Sequence, residues 1–315
     1  METENVTTVT EFLLLGFMYE PDVEVILFLV FLIVYLVTVL GNVVIIILIC
    51  IDLRLHSPMY LFLSNLSFIE IFMTTCVVPK MLANLLSKRK TISFGGSFAQ
   101  PYFYFFMGST EFILFAAMSF DRYMAICYPL RYPTLMTEKV CANMVIGSWI
   151  GGFLSVFLST VLKVKLPYYG PNVINHYFCD SAPLLHLACT DISFIELVDF
   201  IGSLLLLLGS LSFTTVSYVY IISTILKIPS AQGRKKAFAT CASHFTVVSM
   251  GYGISIFVYV RPSQSDIMSM NKALAIFSGI LTPLLNPFIF SLRNEQMKEV
   301  LRDVLKRVIS SIRDG

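Results

Sequence analysis

The sequence predicts an all-α membrane protein, a seven-transmembrane helix bundle with a short amphipathic eighth helix. Hydrophobic residues make up 57% of the chain and charged residues 13%, and the mean hydropathy is +0.79, which excludes an ordinary soluble domain. A helix needs about 20 residues to cross a hydrocarbon core of ~30 Å. Seven stretches reach that length. Two of them, residues 58–79 and 97–120, contain one acid each. The other five contain no Asp, Glu, Lys or Arg and are residues 25–51, 140–162, 200–226, 237–260 and 273–292.

The distribution of basic residues predicts the orientation. The first 24 residues contain six acids and no Lys or Arg; with that end outside, the inner segments carry 14 Lys and Arg residues and the outer loops 8. Because basic residues favour the cytoplasmic side, we expect an extracellular N-terminus (1–24), one transmembrane domain (25–292) and a cytoplasmic tail (293–315). The protein is then a multi-pass protein of the plasma membrane. A net charge of +2 gives no reason to expect a nucleic-acid partner.

The first segments carry two local signals. Asn5 opens an Asn-Val-Thr glycosylation acceptor on the predicted outer side. Pro58 fits the first turn of the second helix, where its missing N–H removes no hydrogen bond. We therefore expect a glycosylated N-terminus and a short inner loop before residue 58.

Four polar residues fall at mid-membrane depth in the first, second, third and seventh spans: Asn42, Glu70, Glu111 and Asn286. A carboxylate within the membrane is costly and by default indicates function. The four can converge only if these helices pack together. Two interpretations stay open. The first is a cation- or water-filled pocket, with sodium or a proton at Glu70 and Glu111; the second is a static polar network that fixes helix packing.

An acid-base pair, Asp121-Arg122, ends the third span and is followed by Tyr123. Both charges can sit at the bilayer surface, where the guanidinium is solvated or paired and does not face hydrocarbon. Taken alone, the pair is consistent with a functional switch or with charges that merely end a helix.

A set of motifs in order along the chain resembles the rhodopsin-like G-protein-coupled receptors, and within them the olfactory receptors of the tetrapod type (class II). Asn42, Asp121-Arg122-Tyr123 and Asn286-Pro287 match the general family. The olfactory marks are LHSPMY at 55–60, MSFDRYMAICYPLRY at 118–132, Ser217-Tyr218, KAFATCASH at 236–244 and PLLNPFIFSLRN at 283–294.

The resemblance implies an odorant receptor, not an enzyme, that binds a small hydrophobic molecule within the helix bundle. It implies activation of a stimulatory heterotrimeric G protein, a rise in cyclic AMP, and contact with membrane lipid; no cofactor is expected. The residues it assigns to coupling and switching are Asp121, Arg122, Tyr123, Tyr218, Lys235, Lys236, Asn286 and Pro287.

A ligand cavity is predicted from helical spacing as well as from the resemblance. Residues three and four apart share a helix face. The candidates from the third, fifth and sixth helices are Phe105, Gly108, Ser109, Phe112, Gly202, Ser203, Leu206, Tyr252, Ser255, Ile256 and Tyr259. They would form an apolar, aromatic cavity with a few hydroxyls and no full charge. The alternative is that much of this stripe is helix packing.

Three departures from the olfactory pattern concern the outer loops and the seventh helix. Ser97 stands where the family has a Cys on the third helix, and Tyr169 replaces the first Cys of the second outer loop. We therefore expect Cys179 and Cys189 to bond to each other, leaving the lid no longer tied to the third helix; free thiols or impaired folding are the alternatives. Phe290 replaces a family Tyr.

The soluble segments contain no metal constellation, phosphate-binding Gly loop or nucleophile triad, so no catalytic or metal site is predicted beyond the acids named above. A transporter or channel is the second candidate, because Glu70 and Glu111 could relay protons or cations. The sequence has no internal repeat and no matching pair of broken helices, which transporters often have.

The tail has an amphipathic pattern from residue 294 onward. Apolar residues recur at three- and four-residue steps, and basic residues lie between them; they are Met297, Val300, Leu301, Val304, Leu305 and Val308, with Arg302, Lys306 and Arg307. This pattern predicts a helix on an anionic membrane surface. The alternative is a disordered tail.

Overall fold

The structure, a computed structural model, describes residues 9–17, 20–169, 172–259, 272 and 275–314. Asn5 lies outside these residues. The described chain is mainly helical, as predicted, and its helices are α1 (Pro21–Ile51), α2 (Pro58–Leu85), α3 (Phe94–Cys127), α4 (Tyr132–Leu135), α5 (Glu138–Val164), α6 (Ser181–Leu185), α7 (Ser193–Leu226), α8 (Ala231–Tyr259), α9 (Thr282–Arg293) and α10 (Glu295–Asp314). A 3₁₀ turn (Leu53–Leu55) precedes α2, and a π-helical turn (Phe277–Leu281) precedes α9.

The long helices occupy the predicted crossings. Five of them, α1, α2, α3, α5 and α7, are long and apolar enough to span a bilayer. Helix α8 coincides with the predicted sixth crossing but begins with a basic, polar turn, and α9 with the π-helical turn before it forms the described part of the seventh. The architecture is that of a helical membrane bundle.

Short polar and proline signals set where the helices begin. Pro21 and Pro58 lie in the first turns of α1 and α2, where the missing N–H removes no helical bond. Ser93 caps α3, its Oγ accepting from Gly96 N at 3.2 Å, and Thr137 caps α5, its Oγ1 accepting from Val140 N at 3.4 Å.

Helix α3 is central and packs against α2, α5 and α7. Its crossing with α5 is very close: a Cβ added to Gly152 would lie 2.0 Å from Thr110 Oγ1 and 2.8 Å from Thr110 N. Only glycine fits this position. Small residues permit such close helix contacts in membranes, where burial of apolar surface against lipid gives little driving force.

A three-stranded sheet is absent from the all-α prediction. It lies at the end of the bundle that carries the N-terminal segment, called the outer end after the predicted orientation. Strand β1 (Glu11–Leu14) lies between β2 (Thr91–Ser93), to which it pairs antiparallel, and β3 (Val173–Ile174), to which it pairs in parallel. Alternate β1 side chains, Phe12 and Leu14, are buried. The strands are too short for a period-two pattern to be recognised from sequence. The sheet joins the N-terminal segment to the first and second outer loops.

An aromatic cluster holds the second outer loop against α3. The ring of Tyr168 lies 6.1 Å from that of Phe12, 6.0 Å from Phe94 and 5.6 Å from Phe98, all in edge-on or near edge-on arrangements. Its hydroxyl donates to the backbone oxygen of Lys163 at 3.1 Å. Aromatic pairs of this geometry each contribute about 0.5–1.5 kcal/mol beyond burial.

The predicted Cys179–Cys189 bond is absent, and this expectation is corrected. All seven cysteines, each in the described part of the chain, are free; Cys179 is buried and Cys189 is exposed. The Cys189 thiol points to the backbone oxygen of Tyr169 at 3.3 Å. Burial raises the pKa of Cys179 to about 12, so its thiol stays protonated and is a poor nucleophile.

A hydrogen bond replaces the missing covalent link between the loop and α3, contrary to the expectation of an untied lid. The backbone N–H of Cys179 donates to Gln100 Oε1 at 3.0 Å, and Gln100 Nε2 donates to the backbone oxygen of Cys76 on α2 at 2.9 Å. Ser97 is fully buried, and its hydroxyl donates to the backbone oxygen of Phe94 at 2.7 Å. Gln100 therefore ties together α2, α3 and the loop.

His176 is buried in the same loop, beneath the N-terminal segment. Its Nδ1 accepts from Phe178 N at 3.3 Å, and its backbone oxygen accepts from Gly16 N at 3.1 Å. Gly16 has a φ of +61°, a conformation that favours glycine. Burial, and secondarily the Lys272 ammonium, lower the pKa of His176 to about 4, so the ring is neutral in the folded loop.

The tail is helical, as predicted, and its first turns dock on the bundle. Met297 and Val300 are fully buried. Arg54 of the first inner loop pairs with Asp303 at 3.0 Å, and its backbone oxygen accepts from Gln296 Nε2 at 2.7 Å. The Val308 side chain lies outside the described residues. The helix is therefore anchored to the inner loop as well as being amphipathic.

We predict that Gln100→Leu lowers the free energy of unfolding by about 1–3 kcal/mol, because it leaves the buried N–H of Cys179 without an acceptor. The measurement is the thermal unfolding midpoint of the purified receptor. Ala99→Leu, an exposed neighbour on the same turn, is the control and should leave the midpoint unchanged. Equal midpoints for both variants would show that this tether contributes nothing.

We predict that the loop loses stability as the pH falls from about 6.5 to about 4. Over this window the undocked loop takes up a proton at His176 and the docked loop does not. The free energy that favours the docked loop therefore falls by about 3 kcal/mol by the time the pH reaches about 4. Protease susceptibility of the loop against pH measures it. His176→Gln should flatten the profile relative to the parent. His186→Gln, at an exposed histidine of the same loop, should not, and a flattened profile in that control would contradict the assignment.

Candidate ligand-binding and switch sites

The acid-base pair at the inner end of α3 is buried and internally paired. Arg122 Nε donates to Asp121 Oδ2 at 2.9 Å, and Nη2 donates to the same oxygen. The other oxygen of Asp121 accepts from the Tyr132 hydroxyl at 2.7 Å. Burial, and then the Asp121 charge, raise the pKa of Tyr132 and keep that hydroxyl a donor. Both carboxylate oxygens are thus occupied, and Arg122 is held by its neighbour.

A second polar contact lies beside this pair and joins α7 to α8. The Tyr218 hydroxyl is 2.5 Å from His244 Nδ1, with the two rings stacked 5.8 Å apart. Arg122 interacts electrostatically with both residues. Tyr218, one of the predicted switch residues, thus contacts the helix of the sixth crossing. His244 belongs to a motif noted in the sequence, but only the structure identifies it as the partner of Tyr218.

The remaining switch candidates take no part in the Asp121–Arg122 pair or the Tyr218–His244 contact among the described residues. Tyr123 packs near Tyr218 at the edge of the α7–α8 contact, and its ring lies 5.8 Å from that of Tyr220. Lys235 is exposed in the first turns of α8. The side chains of Lys236 and Phe290 lie outside the described residues. Pro287 is buried within α9 and lies 3.3 Å from the position of a Cβ at Gly41, which marks a close α1–α9 contact.

The predicted mid-membrane network is present, with three members in close proximity and the fourth near them. Asn286 Nδ2 donates to Glu70 Oε1. Asn42 Nδ2 donates to the backbone oxygens of Thr38 at 3.1 Å and Pro283 at 3.4 Å. Glu111 interacts electrostatically with Glu70. These contacts bring the first, second, third and seventh spans together.

Two acceptors in this network have no hydrogen-bond donor among the described residues, Asn42 Oδ1 and Asn286 Oδ1. Amide and carboxylate oxygens are the ligands that hard cations prefer. A proton on Glu70 would also give one of these oxygens a donor. The geometry is therefore compatible with both occupants considered from the sequence. A sodium ion would be held by oxygens of Asn42, Glu70, Glu111 and Asn286, and a proton would be carried by Glu70 or Glu111.

The predicted ligand stripe on α3 is partly packed and partly open. Phe112 packs against Tyr252 of α8 in a tilted arrangement with ring centroids 5.2 Å apart, and Tyr252 and Ser109 are buried. Phe105 and Gly108 are half-buried, and a Cβ added to Gly108 would meet nothing within 4 Å. Helix packing explains the inner end of the stripe, and free space lies beside its outer end.

The candidates on α7 and α8 are half-buried except for Tyr252. They are Gly202, Ser203, Leu206, Ser255 and Ile256. Ile256 packs against the central core, and a Cβ added to Gly202 would meet open space. The Tyr252 hydroxyl lies 3.5 Å from Thr214 Oγ1. The Tyr259 side chain lies outside the described residues. The structure thus joins α3 to α8 through Phe112 and Tyr252.

A cavity of about 20 Å³ lies between α3, α5 and α6 at the outer end of the stripe. This volume admits about one water molecule. One predicted residue lines it, Phe105, and the others were missed; among them are Tyr102, Thr160, Lys163, Ser181 and Leu184. Unlike the predicted site, which carries no full charge, this cavity has Lys163 in its wall.

Comparison with known proteins gives a consistent result. The family model described as Olfactory receptor matches residues 31–308. Human Olfactory receptor 6J1 is 53% identical over 95% of this chain and 86% of its own length, and human Olfactory receptor 6N1 is 50% identical over 98% and 99%. Mouse Olfactory receptor 6E1 is 48% identical over 95% and 96%. These relatives are signalling receptors, not enzymes, which favours the receptor interpretation over a transporter. The chain belongs to the olfactory receptor family of G-protein-coupled receptors.

Proposed function

We propose that this protein is an odorant receptor that binds a small hydrophobic molecule within the helix bundle and activates a stimulatory heterotrimeric G protein, raising cyclic AMP. The observation that carries the proposal is the buried Arg122–Asp121 pair beside the Tyr218–His244 contact. The first lies at the inner end of α3 and the second joins α7 to α8. We place the N-terminus outside the cell and α10 in the cytoplasm.

The switch works through the pairing of Arg122. In the closed arrangement Asp121 neutralises the guanidinium, and the α7–α8 contact covers it. Outward movement of α8 breaks the Tyr218–His244 contact and uncovers Arg122 for the G protein. A ligand drives this change only by binding the open state more tightly than the closed one. A shift from 1:99 to 99:1 requires about a 10⁴-fold difference in affinity.

The ligand site supports the same function at the outer end of α3. Apolar and aromatic side chains dominate it, and buried apolar surface contributes about 25 cal/mol per Å². A Cβ added to Gly108 or Gly202 would meet no atom within 4 Å, so no side chain covers these two backbone positions. Since Phe112 of α3 packs against Tyr252 of α8, a ligand that presses on Phe112 changes how α8 packs.

We predict that Arg122→Ala abolishes the cyclic-AMP response to an odorant panel while surface expression remains, because the group that engages the G protein is lost. The measurement is a cyclic-AMP reporter at matched surface level. Arg131→Ala, at an exposed basic residue after α3, is the control and should retain signalling. Full signalling by Arg122→Ala would refute the switch assignment.

We predict that α10 lies in the plane of the inner membrane surface. Apolar side chains on one face enter the lipid headgroup region, and basic side chains face anionic lipid. Spin labels placed singly along residues 298–307 should show immersion depth that varies with a period of 3.6 residues. Uniform solvent exposure along the helix would contradict this position.

A further inference from the structure

A charged cluster at the outer end of α5 is not explained by the switch or by the aromatic stripe. Lys163 lies in the last turn of α5, and its ammonium is nine-tenths buried. It pairs with Asp199 Oδ2 of α7 at 2.6 Å and donates to Ser181 Oγ of α6 at 2.5 Å. The other oxygen of Asp199 accepts from Ser159. A buried charge of this kind is costly and needs every hydrogen bond it can form.

The same ammonium lines the cavity at the end of the predicted ligand stripe. Tyr102, Phe105 and Leu184 form apolar walls, and Lys163, Ser181 and Thr160 bring polar atoms to it. The Thr160 hydroxyl donates to the backbone oxygen of Val156 at 3.0 Å. Its proton is therefore already used, and the donors left in the lining are the Lys163 ammonium, which alone is charged, and the hydroxyls of Ser181 and Tyr102.

Counting donors shows what this space can accept. An ammonium has three N–H donors, and among the described residues Lys163 uses two, on Asp199 and Ser181. The third donor has no partner among the described residues, and Lys163 lines the cavity. A hydrogen bond from a charged donor is stronger than one between neutral groups, so an acceptor that reaches this N–H is bound favourably.

Charge limits the class of acceptor further. The Asp199 carboxylate already neutralises Lys163, and the buried Asp180 carboxyl is a second acid near the same ammonium. A carboxylate ligand would add a further negative charge beside these acids. An ammonium ligand would place a second positive charge beside Lys163. A neutral oxygen acceptor meets neither difficulty.

We propose that this cavity is the polar end of the ligand site and selects neutral apolar molecules with a carbonyl oxygen, such as ketones and esters, which accept a hydrogen bond from Lys163. The cavity admits the carbonyl oxygen, which is about the size of a water molecule, and the apolar chain runs past Phe105 toward Gly108. The inference rests on the proposed odorant-receptor function. It adds the chemical class of the ligand and the residue that recognises it.

The test uses the full-length purified receptor and measures thermal unfolding, which needs no G protein. Methyl ketones of five to ten carbons are compared with n-alkanes, carboxylates and primary amines of equal carbon number. Binding to the folded state raises the unfolding temperature. We expect one or more ketones to raise it, and the matched alkane, carboxylate and amine to have no effect. No shift with any ketone, or equal shifts with ketone and alkane, would overturn the proposal.

A double variant, Lys163→Met/Asp199→Leu, removes both charges and so leaves no unpaired ion in the protein. The half-saturating ketone concentration should rise at least tenfold in this variant. Lys165→Met, at an exposed lysine two residues along, is the control and should bind the ketone normally. Unchanged ketone binding by the double variant would overturn the role of Lys163.

The cyclic-AMP assay separates this proposal from the proposed function. Ketone binding that depends on Lys163 but produces no cyclic AMP supports the ligand class and contradicts the signalling function. Cyclic-AMP responses with no preference for carbonyl compounds support the function and contradict the ligand class.

Discussion

The absence of water from the hydrocarbon core is the constraint on which the rest of this structure depends. Backbone polar groups there must bond within the chain, which only helices or closed barrels allow, and the described spans are helices. Polar side chains obey the same rule. Asn286 bonds to Glu70, and Trp149 Nε1 donates to Asn65 Oδ1 at 3.2 Å. Each of these contacts joins two different helices, so satisfying buried polar groups also selects the packing of the bundle.

The outer end is held together by other means, because water and loop backbone are available there. The loop over the bundle is tied by a three-stranded sheet, by the Tyr168 aromatic cluster and by the Gln100 bond to Cys179. A disulfide would constrain the unfolded chain, whereas these contacts act only in the folded state. The lid therefore depends on continued packing, and its buried His176 makes that packing sensitive to acid.

Helix α3 connects the outer cavity to the inner switch. Phe105 lines the cavity and Arg122 lies 17 residues further along, a distance of about 26 Å at 1.5 Å per residue. The helix is closely held by α5, since Gly152 contacts Thr110 almost backbone to backbone. A rigid α3 suits a receptor in which α8 is the moving element. Phe112, between the two sites, packs against Tyr252 and is where we propose that a ligand on α3 acts on α8.

The sequence by itself determined the membrane class, the positions of the crossings, the polar network and the receptor family, because these follow from residue types and from spacing along one chain. Tertiary structure alone decided the partners. From the sequence, Lys163 is indistinguishable from an ordinary charged residue at the end of a helix. Only the packing of α6 and α7 around it places Ser181 and Asp199 against its ammonium. The prediction of a Cys179–Cys189 disulfide likewise rested on a rule for pairing cysteines, and that rule takes no account of burial. In the structure Cys179 is buried and Cys189 is exposed, and the backbone N–H of Cys179 donates a hydrogen bond to Gln100.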